Sequence, residues 1–74
     1  MKEEEELEIV KYVKKRYKRI DVGDLSLISY LAANTNNFRL ISEAEFYNSR
    51  RYAQIIFEYN SKRHEGLLKI EIEI

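Results

Sequence analysis

Two pairs of carboxylates stand two residues apart in this chain, Glu43 with Glu45 and Glu71 with Glu73. On a β-strand that spacing puts both side chains on one face, about 6.5 to 7 Å apart along it. The separation overlaps the one inverting glycosidases use to hold a water between an acid and a base. Such chemistry also needs an apolar wall that raises the pKa of one carboxyl, and the sequence supplies none, so both pairs are read as solvated strand faces. His64 lies among Lys62, Arg63 and Glu65. With no second histidine and no cysteine to share a metal, it is read as a solvated loop residue. No nucleophile and base pair, Gly-rich phosphate loop or EF-hand spacing occurs. The expectation is a chain with no catalytic, cofactor or metal site, and therefore not an enzyme.

Composition narrows the alternatives. The 74 residues leave room for a single domain, 1–74, with one core. Thirteen basic and thirteen acidic side chains cancel, whereas nucleic-acid binders carry a basic surplus that displaces counterions. Net charge thus argues against nucleic acid as a partner. The apolar runs, such as Ile55-Ile56-Phe57, are too short to span a bilayer, and Met1-Lys2 leads into four glutamates instead of a signal core. A cytoplasmic or recombinant protein without a membrane partner is expected. The absence of Pro, Trp and Cys beside 35% charged residues points to a thermostable chain of thermophilic or engineered origin.

The elements that must position these residues follow from periodicity. Residues 3–20 carry Ile9, Val10, Val13, Tyr17 and Ile20 at helical spacing, with glutamates at the start and Lys14, Lys15, Arg16, Lys18 and Arg19 at the end, matching the helix dipole. Beyond Asp21-Val22-Gly23-Asp24, a repeated signature of Asn, a hydroxyl residue, two polar or basic residues and a ring occurs at 34–38, 48–52 and 60–64, and implies three similar turns. The runs between alternate with period two. Phe38, Leu40, Ala44 and Phe46 are assigned to the core face of one strand, Ala53, Ile55, Phe57 and Tyr59 to the next, and Leu68, Ile70, Ile72 and Ile74 to the last. The fold expected is α+β, one helix on a four-stranded antiparallel meander (αββββ), with strands at about 25–33, 38–47, 52–60 and 67–74. Segment 25–33 also fits a helix capped by Asp24, which gives ααβββ. A capping box at Ser42 and Glu45 would instead give a winged helix.

Two surfaces then become candidates. The meander gathers Lys14, Lys15, Lys18, Arg19, Arg50 and Arg51 at one end, a candidate phosphate contact. The sheet face away from the helix would carry Ile28, Tyr30, Ile41, Tyr47, Tyr52, Ile56 and Leu67, of which Tyr47, Tyr52, Ile56 and Leu67 form the candidate interface. The last strand, 67–74, lies at a sheet edge, and a weak homodimer through it or through the adjoining face is expected.

The Glu-start and Lys-end helix at Glu3 to Arg19, the alternating Leu67 to Ile74 and the lack of Cys and Pro resemble idealised, de novo designed helix-on-curved-sheet proteins, whose arrangement is similar to the cystatin fold. The likeness is one of style across the whole chain. It departs at the turns, which lack Asn-Gly and Asp-Gly, and the cystatin inhibitory loops have no counterpart here. It implies a non-catalytic structural scaffold, engineered. The alternative is a natural small binding protein of a thermophile or its virus.

Overall fold

The computed structural model describes residues 7–62 and 65–74. Helix α1, Glu8–Arg16, buries Val10 and Val13 and places Glu8 in its first turn and Lys14, Lys15 and Arg16 in its last. It ends before residue 20 because Tyr17 turns out of helical geometry (φ −119°, ψ 83°), and that side chain enters the core with 6% exposure. The expected helix start at 3–6 lies outside the described residues.

Segment 25–33 is the first correction. It is helical, part of α2, Val22–Asn34, so the described residues form two helices and three strands in place of one and four. The cap is Asp21, not Asp24: its carboxylate accepts the Gly23 N–H at 2.9 Å. Leu25, Ile28 and Ala32 then share one side of the helix, where Ile28 is fully buried and Leu25 packs on the core. As a strand, the segment would have left that stripe on two faces. The signature at 34–38 is accordingly a helix-to-strand junction, where Asn37 takes a positive φ of 57°.

Strands β1, Asn36–Tyr47, β2, Arg51–Asn60, and β3, Glu65–Glu73, form an antiparallel sheet in the order β1-β2-β3. The winged-helix alternative fails at β1, since 43–52 is not helical. Ala53, Ile55, Phe57, Ile70 and Ile72 point to the side on which Val10, Val13, Tyr17 and Ile28 complete the core. Phe57 is fully buried and its ring stacks on Phe38 at 4.9 Å. Across the ladder from Tyr59, Gly66 leaves room for the tyrosine ring, which lies 2.6 Å from where a Cβ would stand.

The second correction concerns β1. Leu40 faces Phe57 and Ser42 faces Ile56, so Ile41 is an extra residue in the ladder, a β-bulge. The bulge shifts the phase of everything after it. Glu43 faces Ile55 and Glu45 faces Ala53 on the core side, while Ala44 and Phe46 face Gln54 and Tyr52 on the other. Ala44 and Phe46 therefore do not share a face with Phe38 and Leu40.

Candidate functional site

The bulge brings Glu43 beneath α1. Tyr12 and Arg16, four residues apart on one side of that helix, and Tyr17 just past its end all direct donors at the same carboxylate. The Tyr12 hydroxyl donates at 2.9 and 3.1 Å and the Arg16 Nε at 3.1 Å; the Tyr17 hydroxyl donates to Oε1 as well. The Arg16 guanidinium also reaches Glu45 at 3.8 Å. Burial works to raise the Glu43 pKa, but the hydrogen bonds from Tyr17, Tyr12 and Arg16 outweigh it and hold the carboxyl below its ordinary value. Burial and the bond to Glu43 push Tyr17 up to about 12. At neutral pH the cluster is thus an ionised acceptor surrounded by fixed donors. Such a carboxylate has no proton to give, and a phenol with so high a pKa is a poor source of phenolate. The arrangement ties α1 to β1.

The four expected solvent-facing carboxylates separate accordingly. Glu43 is solvent-exposed as expected, its side chain 30% accessible, but it stands on the helix side of the sheet and is engaged by three donors. Glu45 remains at the rim and accepts from the Tyr47 hydroxyl. Glu71 and Glu73 lie exposed along β3, paired with Arg50 at 2.9 Å and Arg19 at 4.0 Å. His64 lies outside the described residues. Among the described residues no three His, Asp or Glu side chains converge on a metal position.

Three of the six basic residues expected at one end, Arg19, Arg50 and Arg51, have acidic or aromatic partners. Besides the pairs of Arg19 and Arg50, the Arg50 guanidinium lies 4.1 Å over the Tyr52 ring and that of Arg51 5.2 Å from the Tyr47 ring. Lys14 and Lys15 are exposed in the last turn of α1 and Lys18 in the loop that follows.

The outer sheet face differs from expectation in membership. Ile28 belongs to the core, Tyr30 stands exposed on α2 and Ile41 sits in the bulge. Tyr47 pairs with Arg51 on the helix side of the sheet, apart from the other three candidate interface residues. Tyr52, Ile56 and Leu67 are on the outer face, joined by Phe46, whose ring stacks on Tyr52 at 5.2 Å. Leu67 is 68% exposed. Phe46 was missed because alternation alone assigns it to the core; its aromatic partner directly across the turn, Tyr52, was the available signal. Two pairs of charges on this face engage each other, Arg39 with Glu58 and Arg50 with Glu71, while Lys69, across from Ile56, is in no ion pair among the described residues.

At the far end of the sheet two adjoining open grooves of about 520 and 600 Å³ meet beside Asn37, Glu58 and Asn60. Their walls are polar, and the Glu58 carboxylate within them is engaged by Arg39.

Comparison of the chain with protein-family models, with curated proteins and with solved structures finds no match in any of the three.

Proposed function

We propose that this chain is a non-catalytic scaffold whose outer sheet face contacts another protein. One observation carries the reading. Both helices pack on one side of a three-stranded sheet, and the other side presents Phe46, Tyr52, Ile56 and Leu67 between charge pairs that neutralise each other. The exposed Phe46 and Leu67, beside the half-buried Tyr52 and Ile56, on a surface of balanced charge suit protein contact. Phosphate contact needs uncommitted cations, and half of the expected basic end, Arg19, Arg50 and Arg51, is engaged by acidic or aromatic partners. The ionised, donor-saturated Glu43 cluster supports the non-catalytic half of the reading. It works as a latch.

The test is selection of binding peptides from a random displayed library, followed by chemical-shift mapping of the best binder. Shifts centred on Tyr52, Ile56 and Leu67, with binding lost in Leu67→Asp and kept in Tyr30→Ala, are the expected result. Shifts centred on Tyr12 and Arg16, or salt-sensitive binding of random single-stranded DNA that depends on Arg50 and Arg51, would replace this reading with a different one.

A further inference from the structure

The two edges of the sheet are built differently. On β1 the register slips twice, between Asn36 and Arg39 and again at Ile41, and bulges of this kind spoil an edge for pairing with another chain. The ladder of β3 with β2 runs without a slip from Glu65 to Glu73. Ile74 donates its N–H to the Arg51 carbonyl at 3.1 Å. Because backbone direction alternates along a strand, Gly66, Leu68, Ile70 and Ile72 also bond towards β2. Leu67, Lys69, Glu71 and Glu73 therefore present their N–H and C=O groups to the open edge.

We infer that this edge pairs antiparallel with the same edge of a second copy, in a register centred on Ile70. Three registers overlap seven or more residues of β3 and keep the two faces of the joined sheets in phase, centred on Leu68, Lys69 or Ile70. Centring on Leu68 places Glu65 opposite Glu71. Centring on Lys69 sets that lysine against its own copy and Glu65 against Glu73. Centring on Ile70 alone brings no like charges face to face. Lys69 meets Glu71 twice, Leu67 meets Glu73 twice, and on the core side Leu68 meets Ile72 while Ile70 meets itself. Opposite charges directly across an antiparallel ladder attract and like charges repel, so the sequence selects this register. Lys69 makes no ion pair among the described residues, and the second copy supplies one. The product is a two-fold, six-stranded sheet with a closed isologous contact. This inference does not depend on what binds the outer face.

Sedimentation equilibrium over a hundredfold concentration range tests it, with circular dichroism to check folding of each variant. The parent is expected to dimerise reversibly. Lys69→Glu and Glu71→Lys should each weaken association by about tenfold, and the double swap Lys69→Glu/Glu71→Lys should restore most of it, because the pairing is reconstituted with signs exchanged. Glu71→Pro removes an N–H aimed at the open edge while sparing the ladder with β2, and should leave a folded monomer. A parent that stays monomeric at the highest concentration overturns the inference, as does a dimer that survives Glu71→Pro.

Discussion

Glu43 stands directly across the β1–β2 ladder from Ile55, a carboxylate beside a side chain with no exposed surface. That neighbourhood is tolerable because three donors from α1 and its end converge on the carboxylate. Removing the acceptor should cost more than surface charge does. Glu43→Ala is expected to lower stability by about 1 to 2 kcal/mol, below the full worth of hydrogen bonds to a charged group because the site is partly solvated. Glu45→Gln and Glu73→Gln should stay within about 0.5 kcal/mol of the parent. Urea unfolding at pH 7 measures all three, and equal effects at the three positions would refute the latch.

The same cluster sets two pH dependences. Glu43 has a lowered folded pKa, so its contribution is present above the unfolded value of about 4 and is lost as pH falls through the folded value. Tyr17 has a raised one, about 12 against 10.0; its contribution is whole below pH 10 and is lost as pH rises towards 12. Melting temperatures of the parent should fall in both windows. Glu43→Gln should flatten the acid limb and Tyr17→Phe the alkaline limb. Ultraviolet titration in which every tyrosine ionises together near 10 in the folded chain would contradict the assignment.

Phe57→Ala should destabilise the chain by about 3 to 5 kcal/mol, the cost of emptying a large aromatic from a core. Its ring is fully buried and stacked on Phe38. Equilibrium unfolding that leaves the midpoint unchanged would invert the face assigned to β2.

Asn37 carries a positive φ of 57° at the start of β1. Asn37→Gly should be neutral within about 1 kcal/mol, whereas Asn37→Val should cost about 1 to 2 kcal/mol because a β-branched residue resists this conformation. Equal stability of the two variants in thermal melts would show that the junction adopts another backbone geometry in solution.

Periodicity found α1, β2 and β3 because each buries one regular stripe, and Ile55, Phe57, Ile70 and Ile72 lie where alternation puts them. It misreads α2 because Leu25, Leu27 and Leu31 satisfy a strand face while Leu25, Ile28, Leu31 and Ala32 satisfy a helix, and the turn signature at 34–38 favours the strand. Asp21, placed to cap Gly23, was the stronger signal. The second half of β1 could not be read from alternation, since a bulge changes the phase without changing the composition. Tyr17, on the apolar stripe expected for the first helix, offered a hint that a polar partner would face it, for buried phenols seek partners.

Ile41 acts on β1 as an inserted letter acts on a reading frame. Downstream of it, positions keep their alternation but exchange sides, so that Glu43 and Glu45 stand on the helix side of the sheet, still reached by solvent, and Ala44 and Phe46 on the outer side. A chain one residue shorter at this point would keep Leu40 and Glu43 on the same face without any bulge, whereas one residue more or fewer between Ser42 and Tyr47 would scramble the latch. When this sequence is aligned with a relative, a gap opposite Ile41 is therefore compatible with the same fold, whereas a single inserted residue between Ser42 and Glu43 would turn Glu43 away from the helix side. Keeping Leu40 and Glu43 on the same side of the sheet, with or without the extra residue between them, is what preserves this strand.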